Sequence, residues 1–288
     1  MSNFTIQRVS FSRLAEFENC AYATKLKIID KIPEPERPLP PGKTEHANDR
    51  GSRIHDECEK FVRGQGPLPV EAKEFAQHFE ALKGHFNAGR ASLEGEWGFT
   101  VDWQPCGYNA PEVWLRVKAD AVVWLSKKRA VVIDYKTGRK FGNEIKHAEQ
   151  VQLYALAVMI RCPDVEEIDV ELWYLDQDEL THAQKPVTKW VRHLKPFDAR
   201  FKRMSNMDIK KIKPAANKIS CKQCPYRNGI CPQRSDRTLY RQKIRLCRKA
   251  DRIISRHADT DAPDLAQFLE QHRSYLAANK HLCHFIAD

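Results

Sequence analysis

Asp134-Tyr135-Lys136 ends an apolar run, Ala130-Val131-Val132-Ile133, and that position gives the tripeptide its chemical interest. Side chains alternate faces along a strand, so Asp134 and Lys136 point one way and Tyr135 the other. Asp120 lies within or at the end of the preceding strand-like run. If the two runs pair as a hairpin, Asp120 comes close to Asp134. Two carboxylates and an ammonium then share one spot on a sheet surface. Hard oxygen ligands of this kind suit Mg²⁺ or Mn²⁺, which keep waters and bind substrate phosphates. Lys136 is suited to orient or deprotonate a water, or to stabilise charge on a scissile phosphate. The chemistry expected is metal-assisted phosphodiester hydrolysis.

Asp-x-Lys alone is common and equally describes a surface ion pair worth little to stability. Three neighbours shift the balance. Gly138 follows Lys136-Thr137 and gives a sharp turn where the strand ends. His55, in Gly51-Ser52-Arg53-Ile54-His55, sits on an expected helix and offers an imidazole ligand. Gln150 and Tyr154 are spaced i, i+4 on the helix after the Asp-x-Lys strand, so they share a face.

A second constellation is Cys221-x-x-Cys224-Pro225, followed by Cys231. Three thiolates so close can ligate one centre, and with a fourth they serve Zn²⁺ or an iron–sulfur cluster equally well. Nine cysteines are an odd count, which argues against a complete set of internal disulfides. Cys58, Cys106, Cys162, Cys247 and Cys283 show no ligand spacing and read as packing residues.

The elements that must position these groups follow from periodicity. Phe11 to Ile29 reads as a helix with Ser12 as N-cap. IPEPERPLPPGK is an exposed loop, a second helix opens near Asn48, and a third runs from about Val70 to Phe86. EWGFTVDWQ, VWLRVKADAVVWL and AVVIDYK are β-branched and aromatic, three successive strands, or four if the middle run bends at Ala119-Asp120. Glu144 to Ile160 is helical and IDVELWYLD is another strand. The middle of the chain therefore reads β-β-β-α-β, a mixed α/β sheet with a crossover helix. From Lys195 onward the chain turns helical and basic, with further helices over Thr238 to His257 and Asp264 to Ala278.

Charge is unevenly placed. Between His182 and Arg256 there are 22 Lys/Arg and four Asp, with no Glu, an excess greater than the whole chain's net +10, so the remainder is acidic. A basic segment on an acidic body is the footprint of a polyanion partner, of which nucleic acid is the commonest. No apolar run approaches the roughly 20 residues that span a bilayer, and the start lacks a secretory apolar core, so a cytoplasmic protein without membrane contact is expected.

His55, Asp120, Asp134-Tyr135-Lys136 and Gln150-x-x-x-Tyr154, in that order, resemble the PD-(D/E)XK nucleases of the RecB-like branch, which includes CRISPR-adaptation nucleases. RVKADAVVWLSKKRAVVIDYKTG resembles that branch's core hairpin, although Val117 stands where a glycine is usual. The resemblance implies a restriction-endonuclease-like core flanked by helices. It implies that His55, Asp120, Asp134 and the carbonyl of Tyr135 ligate metal, that Asp120, Asp134 and Lys136 are catalytic, and that Gln150 and Tyr154 position DNA. SRLAEFENCAYATKLKI resembles the first helix of the family's iron–sulfur members. By that likeness Cys20 joins Cys221, Cys224 and Cys231 around a [4Fe–4S] cluster, with Zn²⁺ as the alternative. The expected divisions are 1–90 (helical, with Cys20 and His55), 91–206 (nuclease core), 207–235 (cysteine segment) and 236–288 (basic helical extension). The implied activity is exonuclease cleavage of single-stranded DNA or DNA ends in repair, recombination or phage replication. An endonuclease of the same fold and a non-catalytic DNA-binding scaffold are the alternatives. There is no phosphate-loop motif, so unwinding would come from a helicase or recombination partner.

Overall fold

β-Branched and aromatic residues stiffen extended backbone and pack well on a pleated surface, and they concentrate between residues 91 and 175. There the computed structural model forms β1 (Ala91–Phe99), β2 (Pro105–Cys106), β3 (Leu115–Ser126), β4 (Arg129–Lys136), β5 (Glu167–Tyr174) and β6 (Glu179–Pro186). The structure describes residues 4–35, 38–138, 140–214, 221, 224–228 and 230–232. Two compact units divide the chain, Met1–Lys213 and Pro214–Asp288. The expected helices over Thr238 to His257 and Asp264 to Ala278 lie outside the described residues.

The six strands form one sheet in the order β2-β1-β3-β4-β5-β6. Only β4 and β5 pair in parallel; the other neighbours are antiparallel. A parallel pair needs a long crossover, and here it is a helix between the two strands. The helices of the first unit are α1 (Phe11–Asn19), α2 (Ala21–Thr24), α3 (Ala47–Val62), α4 (Ala76–Asn87), α5 (Glu144–Arg161), α6 (Val187–Trp190) and α7 (Leu194–Ser205), and α5 is that crossover.

Two apolar cores sandwich the sheet. One joins Val122, Val132 and Val170 of the strands to Leu153, Leu156 and Ala157 of α5, Leu14 of α1 and Phe201 of α7. The other joins Val131, Ile133 and Tyr135 to Ile54 and Cys58 of α3 and Phe79 and Leu82 of α4. The sandwich is the α/β mixed sheet flanked by helices that the sequence predicts.

Several boundaries differ from expectation for identifiable reasons. The N-cap of α1 is Ser10, whose hydroxyl accepts from the Arg13 N–H. The first helix breaks at Cys20, which adopts extended backbone, and resumes as α2 and a π-helical turn over Lys25–Ile29. The stretch Val70–Phe75 is a 3₁₀ turn leading into α4. The middle run stays one strand through Asp120. β6 has no expected counterpart, because ELTHAQKP is a largely exposed edge strand without an apolar face.

Candidate metal centre

Register alone aligns three acids. In the β1–β3 ladder Leu93 faces Ala121 and Gly95 faces Ala119, so the unbonded pair between them is Glu94 and Asp120. The β3–β4 ladder ends at Ala121 facing Ile133, so the next opposed positions are Asp120 and Asp134. Glu94, Asp120 and Asp134 therefore stand in one row across three strands, each roughly 5 Å apart in the pairing direction. The ladder opens at this row. Glu94 has a left-handed φ of 49°, unusual for a residue with a side chain. The Asp120 carboxylate takes the Tyr135 N–H, Oδ2 to N at 2.6 Å, in place of a strand bond.

α3 brings His55 over the row. Its Nδ1 lies 3.2 Å from Asp120 Oδ1, and its ring meets the buried Tyr135 ring edge-on at 5.6 Å. Ligand atoms of His55, Glu94 and Asp120 all lie within 4.8 Å of one another. Glu94 has no place in the sequence expectation, which begins the first strand at Glu96. The signal for it is register: a carboxylate opposite Asp120 becomes visible once β1 is extended to Ala91.

Lys136 closes the other side. Its Nζ lies 2.5 Å from Asp134 Oδ2 and donates to Gln150 Oε1 at 2.9 Å, and Gln150 Nε2 donates to the Tyr154 hydroxyl at 2.6 Å. Asp134, Lys136, Gln150 and Tyr154 thus form one connected chain from β4 to α5. Gly138, between β4 and α5, donates its N–H to Asp176 just after β5 (2.6 Å), and Asp176 pairs bidentately with Arg50 near the start of α3. A Cβ on Gly51 would approach Thr137 Oγ1 to 3.2 Å, so α3 lies close against the end of β4.

Burial and mutual repulsion set the protonation of the row. Burial, more than Asp120 beside it, raises the Asp134 carboxyl to about 6 despite Lys136. Burial also opposes ionisation of Asp120, but His55, Lys136 and the Tyr135 N–H together hold its carboxyl below the usual range. Burial disfavours the His55 imidazolium, and the Asp120 charge outweighs it, raising His55 to about 9. Glu94 is raised, by burial first, against the pull of its Lys118 partner. Carboxylates crowded in this way favour a cation among them.

The donor set fits a divalent ion. It offers the His55 imidazole and the Glu94 and Asp120 carboxylates in one cluster, with the buried Asp134 carboxylate next in the row and its Oδ2 contacted by the Lys136 ammonium. Such oxygen-rich sets suit Mg²⁺ and Mn²⁺.

A family model described as the PD-(D/E)XK nuclease superfamily matches residues 8–232. The chain belongs to that superfamily. Its sheet, with a parallel β4–β5 pair bridged by α5, is the restriction-endonuclease-like arrangement. Membership makes it a metal-dependent nuclease by family, with DNA as the substrate class. Among solved structures, the crystal structure of SSO0001 is similar at 19% identity, over 78% of this chain and 86% of that one, with a TM-score of 0.37. No curated protein matches the chain. Among the described residues no helix is long and apolar enough to cross a membrane.

The cysteines fall in both units. Cys20 lies between α1 and α2 in the first. In the second, the Cys224 N–H donates to Cys221 O (3.4 Å), Arg227 N–H to Cys224 O (3.2 Å) and Cys231 N–H to Tyr226 O (3.3 Å), around a 3₁₀ turn over Pro225–Asn228. This local winding keeps the backbones of the three C-terminal cysteines within one short loop.

Proposed function

We propose that this chain is a Mg²⁺- or Mn²⁺-dependent deoxyribonuclease of the RecB-like branch, an exonuclease acting on single-stranded DNA or DNA ends. The observation that carries the reading is the row Glu94–Asp120–Asp134, capped by His55 and flanked by Lys136. His55, Asp120, Asp134 and the Tyr135 carbonyl hold the ion in this reading, and Glu94 joins them. A divalent cation supplies positive charge to a phosphodiester and eases deprotonation of water. Lys136 positions the attacking water and neutralises charge on the phosphate. Gln150 fixes the Lys136 ammonium, and Tyr154 fixes Gln150, so both act through the lysine as well as toward DNA. Asp120 orients His55 and holds the Tyr135 backbone in place.

Cys20, Cys221, Cys224 and Cys231 are the proposed ligands of a [4Fe–4S] cluster that ties the cysteine segment, 207–235, to the nuclease core, 91–206, and its N-terminal helical region, 1–90. What supports this is their order, the local turn around the last three, and a separation of about 200 residues that a zinc ribbon would not need. The basic extension, 236–288, supplies phosphate contacts without base readout. The setting proposed is DNA repair, recombination or phage replication, with a helicase or recombination protein as partner.

Purified protein incubated with end-labelled linear and circular DNA and Mg²⁺ or Mn²⁺ should degrade linear strands from their ends, and Lys136→Ala should not. Cleavage of circles at an equal rate would make it an endonuclease; equal inertness of wild type and variant would leave a DNA-binding scaffold. Anaerobically purified protein should be brown and contain iron, whereas colourless protein with stoichiometric zinc would overturn the cluster.

A further inference from the structure

The two most exposed large apolar side chains among the described residues are Phe141, at 91%, and Ile145, at 80%. Single exposed apolar residues are ordinary and need no explanation. These two fall four residues apart in the one segment that joins Lys136 at the end of β4 to Gln150 on α5. The backbone around them is held. Gly138 N–H donates to Asp176, Lys140 pairs with Glu179 and lies 5.0 Å from the Tyr174 ring centre, and Gly142 N–H donates to Glu144 at 2.7 Å. Gly138 and Gly142 both adopt left-handed φ, 83° and 84°, which turns the chain sharply on either side of Phe141. An anchored loop therefore presents a ring that is almost wholly open to solvent.

We infer that Phe141, with Ile145 four residues further on, is a stacking platform for an unpaired base of the bound strand within a few nucleotides of the scissile phosphate. The inference rests on the nuclease reading above. Five residues from Lys136 reach at most about 18 Å, so the ring is within a few nucleotides of the metal centre. Every base has a π-face, and aromatic stacking binds single strands without reading their sequence. In sequence the segment from 138 to 147 carries Arg139, Lys140 and Lys146 against Glu144, with Lys140 paired to Glu179, and a net positive segment suits a phosphate backbone. A loop whose backbone is held in advance loses little backbone freedom when a base stacks on it. A platform beside the centre would favour an unpaired end over intact duplex.

The test uses Lys136→Ala protein, so that the substrate survives, and single strands carrying 2-aminopurine at successive positions. Phe141→Ala should weaken binding about ten-fold and abolish quenching at one position, while Phe141→Trp should stay within about two-fold of the parent. Because the ring is so exposed, the melting temperature of Phe141→Ala should match the parent, which separates lost stacking from lost folding. Unchanged binding by Phe141→Ala, with the parent still binding and wild type still cleaving, overturns the platform alone. If Phe141→Ala alters self-association but not DNA binding, the patch is a protein interface and the inference fails. Should wild type neither bind nor cleave DNA, the nuclease reading falls and takes the platform with it.

Discussion

Glu94 sits where three demands meet: it lies opposite Asp120, it pairs with Lys118, and its backbone is left-handed. A carboxylate buried beside another is costly unless a cation joins them. Glu94→Gln keeps the shape and removes the charge, while Lys118 is half-exposed and can turn to solvent. The variant should fold as wild type and need roughly 10–100-fold more Mn²⁺ for half-maximal cleavage. An unchanged Mn²⁺ titration would remove Glu94 from the ligand set. His147 makes a different case. Burial first, then the charges of Lys136 and Lys146, lowers its pKa to about 4, with its Nδ1 3.2 Å from the Tyr174 hydroxyl. The unfolded chain protonates this imidazole near 6.5. Between those values the unfolded state binds more protons, so the contribution of neutral His147 is complete above pH 6.5 and fades as pH falls toward 4. Thermal melts at about pH 7 and pH 5 should show a smaller drop for His147→Gln than for wild type; equal drops would mean His147 does not contribute.

Among the elements, α3 and the turn after β4 are tied together. Arg50 and Asp176 form two hydrogen bonds of 2.9 and 2.8 Å, and Asp176 also holds Gly138. The pair is partly exposed, so Arg50→Ala should cost only about 1 kcal/mol of stability. Activity should fall further, about ten-fold, because His55 and Lys136 are positioned from the two sides of this tie, and misplacement of reacting groups costs rate steeply. Chemical denaturation and initial cleavage rates would check both halves, and a rate loss no larger than the stability loss predicts would sink the positioning role. Much of this level is legible in sequence. Strand geometry puts Asp134 and Lys136 on one face of AVVIDYK, and the hairpin with RVKADAVVWL brings Asp120 beside Asp134. Simple alternation fails at Asp120, where β3 switches from Val117 and Ala119 in one core to Ala121 and Val123 in the other. Helical spacing places Gln150 and Tyr154 together. What sequence leaves out depends on neighbours: β6 is held by pairing with β5 rather than by its own pattern, and Arg50–Asp176 joins residues 126 apart. Glu94 is hidden because SLEG carries a glycine and a polar residue where a strand pattern should begin.

At the scale of the whole molecule, the basic segment between His182 and Arg256 would supply the phosphate contacts of the proposed nuclease. Neutralising phosphates releases counterions, so affinity should fall steeply with salt. Replacing Arg241, Lys243, Arg245 and Arg248 with glutamine should flatten the slope of log affinity against log salt by about 0.9 for each phosphate left unneutralised. Fluorescence anisotropy from about 50 to 200 mM salt reads this directly, and an unchanged slope would place those residues away from DNA. The rims of the sheet carry a consequence of another kind. Strand edges invite addition of another chain's strand, and natural sheets discourage it with very short edges, charge and proline. Here one rim is β2, two residues long, and the other is β6, whose ELTHAQKP is rich in charged and polar groups and ends in Pro186. A DNA-binding protein gathered by the dozen along one DNA molecule would be at its most concentrated there. With both rims shut to strand exchange, crowding on the polymer need not turn into aggregation.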